Sequence, residues 1–128
     1  MEAAGLVTIR SQVSVSETID RIVAGATKRG LIVFARIDHA DGAGKVGMQL
    51  RPTELVIFGH PRGGTPLTAG IDLPVKALAW EDGEGKVWLT YNDARWLMER
   101  HGLGPQSVDA VDAIAAGLSL LAEEATAP

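Results

Sequence analysis

The chain has 128 residues, 46% of them hydrophobic, no Cys, and a net charge of −4 spread along its length. That is enough for a single domain over residues 1–128 whose core needs no staples, and it excludes disulfides and thiolate chemistry. No run nears the roughly 20 apolar residues of a membrane span, and the basic residues form no stripe. Neither a membrane nor a nucleic acid is expected as a partner, and the expected compartment is the cytoplasm.

Leu6–Ser11 reads as a short strand with Val7 and Ile9 on one face. Ser14 and Glu17 then form S-x-x-E, a capping pattern in which each side chain can satisfy an orphan backbone N–H of the other. Val15, Ile19, Ile22, Val23 and Ala26 recur at helical spacing, and Gly30 can end that helix. Residues 31–38 follow as a strand that is apolar on both faces at first, which predicts a central place in the sheet; Arg36 and Asp38 emerge on the face of Phe34. Residues 40–50 are ambiguous, because glycines weaken a helix there while Ala43, Val46 and Leu50 keep a helical spacing.

Residues 54–60, ELVIFGH, are another strand, with Glu54, Val56, Phe58 and His60 on one face. Thr65-Pro66 resembles an N-cap and first residue of a short helix that stops near Gly70. Val75–Glu81 and residues 86–91 then read as a hairpin around Asp82-Gly83-Glu84-Gly85. A four-residue loop pairs Glu81 with Lys86, Trp80 with Val87 and Leu78 with Leu89. That register predicts a core face of Leu78, Trp80, Val87, Leu89 and Tyr91, and a thinner face of Ala77, Ala79, Trp88 and Thr90. Asn92-Asp93 caps a helix over residues 94–101, and a last helix covers residues 107–124 with Val108, Val111, Ala115, Leu118 and Ala122 in a stripe.

This order predicts an α+β domain: a single mixed, mostly antiparallel sheet of about five strands with helices packed on one face. The strand-helix-strand start favours a parallel or crossover pairing of the first two strands. The second face of such a sheet needs cover, which points to a homodimer.

Several motifs tempt. Gly42-Ala43-Gly44-Lys45-Val46-Gly47 is a literal G-x-G-x-x-G after a strand, but Arg51-Pro52 follows too soon for a crossover helix and no acidic residue ends a strand about 20 residues on. Gly44-Lys45 lacks the first Gly and the Ser or Thr of a P-loop. Arg62-Gly63-Gly64-Thr65-Pro66 could hold a carboxylate or phosphate at a helix start, although every helix start has free N–H groups. Asp38-His39 and His60-Pro61 stand at the carboxyl ends of strands, where neighbouring parallel strands would bring them together as acid-base or metal-binding groups. The ligand spacing of a metal site is missing, so no metal and no cofactor is expected. His101 closes a helix, a position that suits a cation.

Taken together, Arg36-Ile37-Asp38-His39, Leu50-Arg51-Pro52-Thr53-Glu54-Leu55 through Phe58-Gly59, Gly64-Thr65-Pro66-Leu67, Asp72-Leu73-Pro74-Val75-Lys76-Ala77-Leu78 through Trp80-Glu81-Asp82, and Tyr91-Asn92-Asp93 resemble the family called domain of unknown function 302. The likeness runs over nearly the whole chain. It implies a small bacterial or archaeal α+β domain that packs as a homodimer, and a helix over residues 40–48. It supplies no reaction. His60 departs from the family pattern, which has Asn there, so a mechanism that needs this imidazole is not implied. Asp38, His39, Arg51, Thr65, Lys76 and Asn92 match the pattern as a candidate polar cleft.

The expected function is therefore that of a homodimeric small-ligand-binding domain. Its cleft is lined by Asp38, His39, Arg51, Thr65, Lys76, Tyr91 and Asn92, and its ligand is a small polar or anionic molecule. One alternative is an enzyme using Asp38 or His39 as general acid or base on a small substrate. Another is a structural dimerisation module with no ligand, marked by an apolar face around Trp88.

Overall fold

In the computed structural model, which describes residues 3–60 and 67–128, the strands are β1 (Leu6–Ser11), β2 (Ile32–Asp38), β3 (Thr53–Gly59), β4 (Val75–Glu81) and β5 (Val87–Asn92). The helices are α1 (Val15–Lys28), α2 (His39–Lys45), α3 (Ala94–Arg100) and α4 (Val108–Thr126), with 3-10 turns at Leu67–Asp72 and Pro105–Ser107. The strands form one five-stranded sheet in the order β1-β5-β4-β3-β2, and each neighbouring pair is antiparallel.

The α+β class and the helices over one face are as expected, but the sheet is antiparallel throughout rather than mixed. β1 and β2 do not pair: α1 carries the chain from one edge of the sheet to the other. β2 is thus an edge strand, not a central one. Its apolar character reflects a lack of cover, since Ile32, Phe34 and Ile37 are 42%, 49% and 40% exposed.

α1 starts where the Ser14 hydroxyl accepts from the Glu17 N–H at 3.1 Å, while the Glu17 carboxylate turns instead to Arg21 at 3.1 Å. Its apolar stripe, Val15, Ile19, Ile22 and Ala26, is wholly buried against Val56 and Phe58 of β3, Ala77 and Ala79 of β4, and Leu89 of β5. α4 closes the same layer with Leu118, Leu121, Ala122 and Ala125. Gly25 lets the two helices approach closely, because a Cβ there would stand 2.4 Å from Leu121 Cδ1. A side chain at position 25 would force them apart. Inside the layer Thr18, fully buried, bonds to the Ser11 hydroxyl and the Ser14 carbonyl, both at 2.7 Å, so its polarity is satisfied.

The hairpin is a correction in register. Glu81 pairs with Val87 and Trp80 with Trp88, not Glu81 with Lys86. The loop takes in Lys86, because the Asp82 carboxylate accepts from the backbone N–H groups of Glu84 and Lys86, at 2.8 and 3.0 Å, and Gly85 reverses the chain at φ 79°. One residue of slip inverts β4. Ala77 and Ala79 therefore join Val87, Leu89 and Tyr91 against the helices, and Leu78 and Trp80 join Trp88 and Thr90 on the open face.

α2 forms despite its glycines, as the family resemblance implies. The Asp38 carboxylate caps it by accepting from the Asp41 N–H at 2.8 Å, and Asp41 pairs with Lys45 one turn on. None of its residues is buried.

Candidate functional site

The antiparallel pairing of β2 with β3 decides where the sequence candidates fall. Asp38 lies opposite Glu54, and Ile32 opposite Gly59. Asp38-His39 and His60 are thus at opposite ends of the strand pair, separated by about 20 Å at the usual rise per residue. Their expected meeting at parallel strand ends does not occur.

Asp38, His39 and Arg51 do share one end of the sheet. There the Asp38 carboxylate is used as a helix cap, and His39 is exposed. Arg51 reaches across to the hairpin, with Nη1 3.6 Å from Glu81 Oε2 and Nη2 donating to the Gly83 carbonyl at 3.4 Å. Lys76, Tyr91 and Asn92 are at the other end. Lys76 is opposite Ile57 on the open face and donates to the Pro74 carbonyl at 3.1 Å, whereas Tyr91 is opposite Ala77 on the helix face. Burial, then the nearby Asp93 and Glu123, push the Tyr91 phenol above its ordinary pKa, so it stays neutral. Asn92 ends β5 opposite Leu6. Thr65 and the rest of the Arg62 to Pro66 motif lie outside the described residues.

The charged groups that emerge from β2 have structural partners. Arg36 Nε donates to Glu54 Oε1 at 2.9 Å, and its Nη1 to Asp20 Oδ1 at 2.6 Å. This ties β2 to β3 and to α1, and it lets Glu54 sit at 9% exposure without an unpaired charge.

The concavity is elsewhere. A pocket of about 530 Å³ opens at the end of the sheet where β2 and β4 begin and β3 ends, beneath the middle of α4. Phe58 and Gly59 of β3 and Leu73, Pro74 and Val75 leading into β4 line the sheet side. Phe34 adds a second ring: the β2 ladder shifts between Val33 and Ala35, so Phe34 is left unpaired beside the pocket. Across from them α4 presents Ala113, Ile114, Gly117, Leu118 and Leu121. The space exists because α4 carries little bulk there; a Cβ on Gly117 would meet nothing within 4 Å.

Among the described residues the lining holds no Ser, Thr, Asp or Glu, and its ionisable members are Arg29 and His60. Arg29 is occupied, with Nη1 donating to the Gly25 carbonyl at 3.1 Å and Nη2 to Glu124 Oε1 at 2.7 Å. That bond to Glu124 raises the guanidinium pKa and lowers that of the Glu124 carboxyl. The described lining is thus predominantly apolar, able to take up an apolar body. The sequence reading did not find it. Phe34, Phe58 and Leu118 read as core, and only the small residues Ala113 and Gly117 within an otherwise apolar stripe signal a gap. Among the described residues, no three His, Asp or Glu side chains gather as a metal site, and no helix is long and apolar enough to cross a membrane.

Comparisons with known proteins agree with the fold. The crystal structure of an uncharacterised conserved DUF302 protein from Bacillus stearothermophilus superposes with a TM-score of 0.82 over 96% of this chain and 99% of that one, at 16% sequence identity. Among curated proteins, "Fluoride-specific ion channel FluC 1" of Brucella suis biovar 1 (strain 1330) is 54% identical in an alignment of 119 residues covering 89% of this chain and 47% of that protein. "Fluoride-specific ion channel FluC 1" of Brucella abortus biovar 1 (strain 9-941) is 54% identical over the same share of this chain and 44% of its own length. The chain therefore spans less than half the length of these curated relatives. The profile of the family described as "Domain of unknown function DUF302" matches residues 7–121, nearly the whole chain, and the protein belongs to that family.

Proposed function

We propose that this domain binds a small, largely apolar molecule in the pocket under α4. The observation that carries this reading is the apolar lining of a cavity of about 530 Å³, within the roughly 300–1,000 Å³ usual for small-molecule sites. A polar or anionic ligand is less well served, because Arg29 is already held by Glu124 and the candidate polar residues are divided between two ends of the sheet. Catalysis by His39 finds no support in an exposed side chain at the first position of α2. The test is titration with the neutral fluorophore N-phenyl-1-naphthylamine. Saturable binding that Gly117→Trp removes supports the reading, and binding unaffected by that substitution refutes it.

The domain is further proposed to act as a homodimer through its open sheet face. Five strands of about six residues make a surface of about 24 by 20 Å. With side-chain relief this approaches the roughly 800 Å² per partner of a stable interface. Leu55, Ile57, Leu78, Trp80 and Trp88 are on that face, each half-buried and, among the described residues, outside the core that α1 and α4 cover. Next to its β2 edge, Val46, Met48 and Leu50 following α2 are 72%, 67% and 49% exposed. Such apolar surface is costly to leave in water, and a second copy can cover it. Sedimentation of the wild type as a dimer and of Ile57→Lys as a folded monomer is the expected result; a wild-type monomer at micromolar concentration refutes it.

A second reading draws on the curated relatives. They are named fluoride channels, and the matched part of each is under half its length. Since no helix of this chain's described residues is long and apolar enough to cross a membrane, the domain is proposed to serve as a companion module of a membrane channel, outside the bilayer. Fluoride efflux from vesicles carrying the Brucella suis relative, compared with the same protein lacking the matched region, is the direct test. Equal efflux and equal fluoride dependence would remove this reading.

A further inference from the structure

The wall of the pocket opposite α4 ends in a polar cluster that no ligand reading uses. Gly70, Leu73 and Pro74 line the pocket, and Asp72 among them turns away toward the end of α3. Its Oδ2 is 2.6 Å from His101 Nε2, and both of its oxygens are 3.0 Å from Arg100 Nη1. The Asp72 and His101 side chains are 16% and 10% exposed, while Arg100 is 51% exposed at the solvent side of the cluster. Between Gly70 and Leu73 no other described side chain fastens the wall, since Gly70 has none and Ile71 is 75% exposed. His101 is the C-cap of α3, and the chain runs on from it into α4, which forms the facing wall. One carboxylate thus ties the turn on one side of the pocket to the end of the helix whose chain leads into the other side.

We infer that Asp72, His101 and Arg100 form a latch that controls entry to and exit from the pocket. Closed, the latch holds the 3-10 turn ending at Asp72 against the α3 end and keeps the pocket narrow. Open, it frees that turn to swing away from the sheet, so ligand exchange quickens while the apolar lining that supplies affinity is unchanged. Among the described residues, His101 and Arg100 at the end of α3 and Lys76 of β4 face the carboxylate and hold Asp72 below the usual carboxylate range, with the His101 hydrogen bond the largest influence. The Asp72 carboxylate is therefore ionised at neutral pH. Charge-assisted hydrogen bonds are about twice as strong as neutral ones, so replacing the carboxylate weakens the closed form more than its size suggests.

The inference rests on the pocket being a ligand site, and stopped-flow mixing with N-phenyl-1-naphthylamine separates the two claims. Asp72→Asn is expected to raise both the association and dissociation rates about tenfold, the scale of one charge-assisted bond, with Kd changed less than about threefold. His101→Gln and Arg100→Met, which keep the carboxylate, should each raise both rates by a smaller factor and serve if Asp72→Asn does not fold. Unchanged rates in all folded latch variants, with Gly117→Trp still blocking the probe, overturn the latch and leave the pocket standing. Probe binding that survives Gly117→Trp unaltered overturns the pocket, and the latch with it.

Discussion

Trp80 and Trp88 face each other across the β4–β5 hairpin with ring centroids 6.4 Å apart and planes 29° from parallel. They are on the open face of the sheet, and each indole N–H is used: Trp80 donates to the Thr90 hydroxyl and Trp88 to the Asp82 carboxylate, both at 2.9 Å. Arg10 of β1 covers Trp88 at 5.8 Å from the ring centroid. The pair and its bonds hold the observed register, since a one-residue slip would move Trp80 away from Trp88 and strip Asp82 of its indole donor.

Asp82 should accordingly give the protein an acid-sensitive limb. The Trp88 hydrogen bond, then the backbone N–H groups of Lys86 and Glu84, hold its carboxyl below the ordinary value. Asp72 is depressed likewise by His101 and Arg100. A carboxyl with a lowered folded pKa stabilises fully above its unfolded value of about 3.9, and that stabilisation fades as pH falls through the folded value. Thermal melts should be flat in this respect from neutral pH to about 4 and fall steeply below it, and Asp82→Asn should shorten the fall while lowering Tm at pH 7. Identical pH profiles for wild type and variant would contradict the assignment.

Arg36 and Glu54 make an asymmetric pair for mutation. Glu54 is buried and Arg36 about one-third exposed, so removing the cation strands an anion in a dry place, whereas Glu54→Gln leaves Arg36 its bond to Asp20. Arg36→Met is expected to cost about 2 kcal/mol and Glu54→Gln clearly less. Urea unfolding of both variants checks the order, and a larger loss for Glu54→Gln reverses the argument.

How much of this was legible in the sequence depended on what each signal encodes. Local chemistry was readable: Ser14 at the start of α1, Asp93 before α3, and the strand alternation of Val56 and Phe58 all act within a few residues. Strand order was not, because the apolar run from Leu31 to Phe34 looks the same whether a strand is central or lies at an uncovered edge. The hairpin register turned on a single side chain, Asp82, whose capture of Lys86 N–H lengthens the loop by one residue. The polar cleft dissolved for a topological reason, since antiparallel pairing sends the ends of β2 and β3 in opposite directions. The pocket was invisible because it is an absence of bulk at Ala113 and Gly117, and sequence patterns report presence.

Gly25 is a point of close approach between α1 and α4, so bulk there should be felt through the helical layer. A Cβ at this position stands 2.4 Å from Leu121 Cδ1, and Gly25→Val adds two methyl groups beyond it. Overpacking of this kind costs about 1–3 kcal/mol. Since Leu121 also lines the pocket, the variant should bind N-phenyl-1-naphthylamine differently as well as melt earlier. A melting temperature at or above wild type would show that α4 can shift without loss.

Phe58 and Phe34 both line the pocket, and their unequal burial makes them a matched test of whether it is a site or a packing defect. Phe58 is 1% exposed and belongs to the core, so Phe58→Ala should cost about 3–5 kcal/mol and compromise folding whatever the pocket does. Phe34 is 49% exposed and stands at the ladder shift of β2, where truncation removes few core contacts, so the loss should stay below about 1 kcal/mol. An aromatic wall that holds a ligand contributes on the order of 1 kcal/mol through ring contact and exclusion of water. Phe34→Ala is therefore expected to weaken N-phenyl-1-naphthylamine binding about fivefold or more while Tm stays close to wild type. If Phe34→Ala binds the probe as tightly as wild type, the ring is not part of a binding surface, and its exposure belongs instead to the dimer edge beside Ile32 and Ile37.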